Sequence, residues 1–250
     1  MKTTLLAVAL VSTFAANAAY LDEETGEVVV PENPELLGEP AQEKVNYGDP
    51  TASFKGFGLT TGSKGFKQGN FVYGSGDHIF SGDVGTSGDK DITYRARYFN
   101  IDRETNIGWS VDVLGDYKNH DGVKTSSNAF LAGGLYKMDF GNIIVAPMAY
   151  AGYATGETQY KDVPGSKLKA DSYLGQAGVY AMYGFEAGHW LYVNPKTTYV
   201  FKDKNFNNQI EVGGGFMVTD NSSLGFKSEL SKYGKGKTDF LNTVNYYVYF

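Results

Sequence analysis

With 250 residues, 22 Lys and Arg, 28 Asp and Glu, a net charge of -6 and no Cys, the chain has no disulfide, thiolate zinc site or cysteine-borne lipid anchor. Gly 32, Tyr 19 and an aromatic content of 15% are unusual for a soluble globule. Past the N-terminus no stretch reaches the roughly 18 apolar residues of a membrane-spanning helix. A mean hydropathy of -0.32 argues the same way. It does not exclude strands that show only alternate residues to lipid.

Lys2 supplies a positive start, Leu5 to Phe14 a short apolar stretch, and Ala16-Asn17-Ala18 a small-x-small site. That order predicts a secretory signal peptide over residues 1–18, cleaved after Ala18, with Ala19 close behind. Between Ala19 and Pro50 stand nine acids (Asp22, Glu23, Glu24, Glu27, Glu32, Glu35, Glu39, Glu43 and Asp49) against Lys44 alone. Pro31, Pro34, Pro40 and Pro50 fall here too, so residues 19–50 read as an acidic, disordered periplasmic arm. A solvated tail and an acidic plug or partner-docking arm are its two readings.

From about residue 52 the pattern changes. Ile107, Trp109, Val111, Val113 and Tyr117 share one parity, and Gly108, Ser110, Asp112, Leu114 and Asp116 the other. Successive Cβ atoms of a strand point to opposite faces, so this is a strand between two environments. The same alternation runs through Leu191 to Phe201, Ile210 to Val218 and Phe240 to Phe250. No segment makes a competing amphipathic helix. Nine segments begin near 92, 107, 129, 143, 172, 190, 209, 223 and 239. His78 to Gly85 makes a tenth, and Phe54–Thr60 with Gln68–Gly74 add a hairpin. The strand number should be even, since both chain ends start from one side. The expectation is an all-β, antiparallel up-and-down transmembrane β-barrel over residues 51–250 with about twelve strands, ten being the alternative.

Connections alternate between tight turns (near 102–106, 139–142, 186–189 and 219–222) and longer polar stretches. The longer ones are Lys118–Asn128, Thr155–Asp171, Lys202–Asn208 and Gly234–Asp239. A soluble sandwich would more often mix Greek-key lengths. Aromatics near both strand ends suit two interfacial girdles: Trp109, Phe185, Trp190 and Tyr249 on the tight-turn side, Tyr117, Tyr153, Tyr173, Tyr199 and Phe201 on the other.

The remaining parity would line the lumen. It carries Arg95, Arg97, Lys196, Lys202 and Lys227, with Asp112, Asp116, Glu186, Glu211 and Glu229. Arg95 and Arg97 on one strand read either as a basic constriction that draws anionic solutes or as packing ions paired to those carboxylates. For catalysis the three histidines His78, His120 and His189 are the probe, and none begins a His-x-Ser motif. His120-Asp121 bears a slight likeness to the Asp–His pair of omptin-type proteases, but no acidic pair accompanies it, and a solvated loop residue is expected. No enzyme activity, cofactor or metal is expected.

The ending Asn245-Tyr-Tyr-Val-Tyr-Phe250 resembles the terminal assembly motif of Gram-negative outer-membrane β-barrel proteins. The resemblance covers the last strand closely and residues 52–250 loosely. It implies an outer-membrane location, surrounding lipid and lipopolysaccharide, and recognition of Tyr246, Val248 and Phe250 by the barrel-assembly machinery. The leading expectation is a porin-like channel for diffusion of small hydrophilic solutes. The other is a non-conducting structural or adhesive barrel acting through its loops. Nucleic acid is not an expected partner, and the oligomeric state is open.

Overall fold

A computed structural model describes residues 20–21, 28–29, 45–88, 91–120, 122–161 and 166–250. The chain divides into residues 1–43 and residues 44–250. In the first unit Tyr20 pairs with Val29 and Leu21 with Val28 in a short antiparallel ladder. The expected signal peptide and most of the acidic arm lie outside the described residues.

The second unit is built from twelve long strands. They are β1 Lys55–Gly62, β2 Lys67–Ser75, β3 His78–Thr86, β4 Ile92–Asp102, β5 Ile107–His120 and β6 Val123–Tyr136, then β7 Ile143–Tyr160, β8 Leu168–Gly184, β9 Trp190–Val200, β10 Asn205–Thr219, β11 Ser222–Tyr233 and β12 Thr238–Tyr249. Each pairs antiparallel with its neighbours in sequence. β12 returns to β1 in a register from Thr243 opposite Gly62 to Tyr249 opposite Gly56, which closes the ring. In hydrocarbon an unpaired strand edge costs several kcal/mol per orphaned group, so closure is what makes such a sheet viable there. The expected twelve-strand, up-and-down barrel is the observed one, including the hairpin over 55–75.

Parity holds along the strands. In β5, Asp112 is 2% exposed while its neighbour Val113 is 41% exposed, and Ile107 and Trp109 face out as Ser110 faces in. Two aromatics depart from the expected girdle. Trp190 and Tyr249 share the inward parity of Asn194 and Tyr247 and line the interior, whereas Trp109 and Phe185 remain exposed at that end.

The long stretches Lys118–Asn128 and Thr155–Asp171 are corrected more substantially. Most of both is strand: Tyr117 pairs with Ser126 and Lys118 with Thr125, and Glu157 pairs with Lys169. A hairpin that projects beyond a bilayer meets water on both faces. Its residues are therefore polar at both parities, and the alternation vanishes while the ladder continues. β7 and β8 reach 18 and 17 residues, against 8 to 9 for β1, β2 and β3. At about 3.4 Å per residue, the β5–β8 flank stands well above the β1–β3 flank. The connections after β9 and β11 shrink likewise to 201–204 and 234–237.

The interior is not uniformly polar. Near the tight turns Ile79, Phe99 and Ile101 are buried together, with Val72 and Leu135 packed against them. Phe99 and Ile101 have the parity of Arg95 and Arg97, so one strand supplies an apolar lower lumen and a charged middle.

Candidate functional site

Arg95 and Arg97 stand two residues apart on β4 and so face the same way. Arg97 lies opposite Asp112 of β5 in register. The Asp112 carboxylate accepts from both guanidinium groups. Arg95 Nε lies 2.8 Å from Oδ1, Arg97 Nη2 lies 2.7 Å from Oδ2, and Arg95 Nη2 bonds Oδ2 as well. Forked, charge-assisted bonds of this kind fix orientation as well as distance. Below them the Ser110 hydroxyl donates to Tyr150 Oη at 3.0 Å. Asp83 of β3 is the register partner of Arg95 and adds a second carboxylate to this wall.

Six strands around the ring, β10 and β11 form the facing wall. Glu211 and Glu229 are directly opposite in register, an arrangement in which like charges repel. Lys227 Nζ resolves it, 3.4 Å from Glu211 and 3.5 Å from Glu229. Lys196 of β9 lines the same space and makes no ion pair among the described residues. Seven of the expected lumen ions therefore share one belt: Arg95, Arg97, Asp112, Lys196, Glu211, Lys227 and Glu229.

Three do not. Asp116 sits higher on β5, where the Ser127 hydroxyl donates to it and Lys118 Nζ is 3.8 Å away. Lys202 lies past the end of β9 and pairs with Asp171 at 3.1 Å in an exposed position. Glu186 is exposed in the turn after β8. Glu186 and Lys202 stand beyond the ends of β8 and β9, where parity no longer sets direction. His120, expected as a solvated loop residue, ends β5 with its Nε2 2.8 Å from the buried carboxylate of Asp91; Asp121 lies outside the described residues. His78 bonds Tyr98 Oη at 2.7 Å through Nδ1, and His189 Nδ1 accepts the Met217 N–H at 2.9 Å.

Sequence reasoning missed the floor. Residues 45–54, assigned up to Pro50 to the arm, lie against the inner wall at the tight-turn end. Asp49 accepts the Thr51 N–H at 2.8 Å and its hydroxyl at 2.6 Å, and takes the ammonium of Lys137 at 2.7 Å. Tyr180 Oη donates to the Gly48 carbonyl at 2.7 Å. Tyr47 stacks on Tyr249 with centroids 3.6 Å apart, and Phe54 meets both edge-on. A Cβ at Gly48 would enter the Trp190 indole, so glycine is required for this approach. The available signal was Asn46-Tyr-Gly-Asp-Pro50, a turn sequence carrying the aromatic Tyr47 at the end of an aromatic-poor arm.

Between floor and belt lies a cavity of about 400 Å3. Tyr47, Phe54, Trp190 and Tyr249 bound it near the floor, Ile79, Phe99, Leu131 and Met148 on one flank, and Arg95, Arg97, Lys196 and Glu211 toward the belt.

No family model and no curated protein matches the chain. Among solved structures, the translocator domain of the autotransporter NalP from Neisseria meningitidis superposes with a TM-score of 0.51 at 11% identity, over 78% of this chain and 86% of that one. The fold is that of an outer-membrane β-barrel. The β domain of the Bordetella autotransporter BrkA (TM-score 0.48, 12% identity, 78% and 97% covered) and an outer-membrane channel from Pseudomonas putida F1 (0.48, 14%, 79% and 96%) are similar too. At such identities the likeness concerns the fold alone. In this barrel Tyr246 and Val248 of the seam strand β12, and Phe250 just past it, project outward, while Tyr247 and Tyr249 turn inward.

Proposed function

We propose that the protein is a narrow channel of the Gram-negative outer membrane for small hydrophilic solutes, stoppered at its tight-turn, periplasmic mouth by residues 45–54. The observation that carries this reading is the belt of seven ionic side chains inside a closed barrel, five of which (Arg95, Arg97, Asp112, Lys196 and Glu211) line unfilled space. A purely structural barrel has no need of so many charges away from bulk water, where each must be paired to be tolerated. Opposed charged walls in a constricted, low-dielectric passage focus the field on a passing solute. Lipid and lipopolysaccharide surround the outward apolar face.

Planar-bilayer recording from refolded protein tests it. Small conductance steps are expected, larger or more frequent once residues 45–53 are deleted. Replacing Arg95 and Arg97 with Gln should move the reversal potential in a salt gradient. Silent traces from both the full chain and the deletion would reject the channel. The projecting β5–β8 flank favours a second reading, a non-conducting barrel that holds lipopolysaccharide or surface polymers there. Silent bilayers together with binding that disappears when 155–171 is shortened would establish it.

A further inference from the structure

The cavity has an unusual division of chemistry. On one flank Ile79, Phe99, Leu131, Leu135 and Met148 present hydrocarbon; toward the belt stand guanidinium and ammonium groups. We propose that it binds a small amphiphilic carboxylate, its carboxylate on Arg95 and Arg97 and its apolar body over Phe99, Leu131 and Met148. This deepens the channel reading, on which it rests for solute access, by naming the solute class.

The sign of the ligand follows from which groups are already engaged. Of the acids lining the cavity, Asp112 holds two arginines, Glu211 holds Lys227, and Asp49 holds Lys137. Asp83 does not line it. Of the bases, Arg95 and Arg97 each spend Nε and Nη2 on the single carboxylate of Asp112. The Nη1 amino group of each has no acceptor among the described residues, and Lys196 has no ion-pair partner there. What the cavity offers a newcomer is therefore unspent donors, the two Nη1 amino groups and the Lys196 ammonium. Planar guanidinium groups match a carboxylate's two oxygens better than any point charge.

The apolar flank sets the rest of the ligand. Water against Phe99, Leu131 and Met148 finds few polar partners, so a hydrocarbon body gains by displacing it. Tyr180 and Tyr192, stacked with centroids 5.2 Å apart, add an aromatic face. A space of about 400 Å3 accommodates a monocyclic or short-chain acid.

The chain has Trp 2, Trp109 toward lipid and Trp190 in the cavity wall. Trp109→Phe leaves Trp190 as sole reporter. The full mature chain, refolded into phospholipid nanodiscs, is titrated with phenylacetate, phenylacetamide and phenethylamine. A saturable change in Trp190 emission with phenylacetate alone is expected. Arg95→Gln/Arg97→Gln/Asp112→Asn, which neutralises Asp112 together with its two partners, should bind roughly tenfold or more weakly. No saturable response, an equal response to phenylacetamide, or unchanged affinity in the triple variant would each overturn the site. Bilayer recording of the same preparation separates the two ideas. Conductance without a phenylacetate response removes the site and leaves the channel; a response from a silent barrel does the reverse.

Discussion

Asp49 and Lys137 are 88 positions apart in sequence and meet at 2.7 Å inside the tight-turn mouth, where both are largely shielded from water. The pair ties the segment entering the barrel to the end of β6. Breaking one partner of a shielded ion pair leaves the other uncompensated, so the segment should be released rather than loosened slightly.

The absence of cysteine makes that release measurable. Ala52→Cys, at the cavity floor, should react slowly with a membrane-impermeant maleimide. Adding Asp49→Asn should speed labelling about tenfold or more, the size expected for losing a charged hydrogen bond. Equal rates in the two backgrounds would show that the pair does not hold the segment.

The Arg95–Asp112–Arg97 cluster predicts an asymmetry. Asp112→Asn strips both guanidinium groups of their shared partner and should cost about 3–5 kcal/mol in urea unfolding from lipid vesicles. Arg95→Gln should cost less, because Arg97 still bonds Oδ2 at 2.7 Å. Equal losses would mean that the carboxylate depends on both arginines at once.

At the opposite end, the Asp91 carboxyl is held below the usual carboxylate range, chiefly by its hydrogen bond from His120; burial opposes this, and the His120 charge, the Asn119 N–H and the Ser87 hydroxyl assist. A depressed folded value means stability present above the unfolded value of about 3.9 and lost as pH falls through the folded one. The unfolding midpoint of the native chain should therefore exceed that of Asp91→Asn at pH 7, and the gap should close under stronger acid. A gap unchanged down to pH 2 would contradict this.

Phe250 is 80% exposed at the end of the seam strand, so its ring adds little packing inside the barrel. Phe250→Ala should refold in vitro with nearly native yield yet accumulate poorly as heat-modifiable barrel in cells. A parallel loss in both assays would assign the residue to stability instead of recognition by assembly factors.

Much of the architecture was legible because parity is a local property. Ile107 to Tyr117 announces a two-faced strand without reference to anything distant, and Tyr246, Val248 and Phe250 announce the outward face of the last one. The projecting hairpins of β5–β6 and β7–β8 were not legible, since polar residues on both faces look like loop. Nor was the apolar lower lumen, because an inward Phe99 or Leu131 carries the same hydrophobic signature as a lipid-facing residue.

The sequence by itself determined the all-β class and the alternation of faces along the regular strands, and narrowed the strand number to twelve or ten, through the two-residue repeat of the extended backbone. Only the tertiary structure decided which inward groups meet. Closing the ring sets β4 across from β10 and brings Asp49 to Lys137, and contacts between distant segments depend on that curvature, not on spacing along the chain.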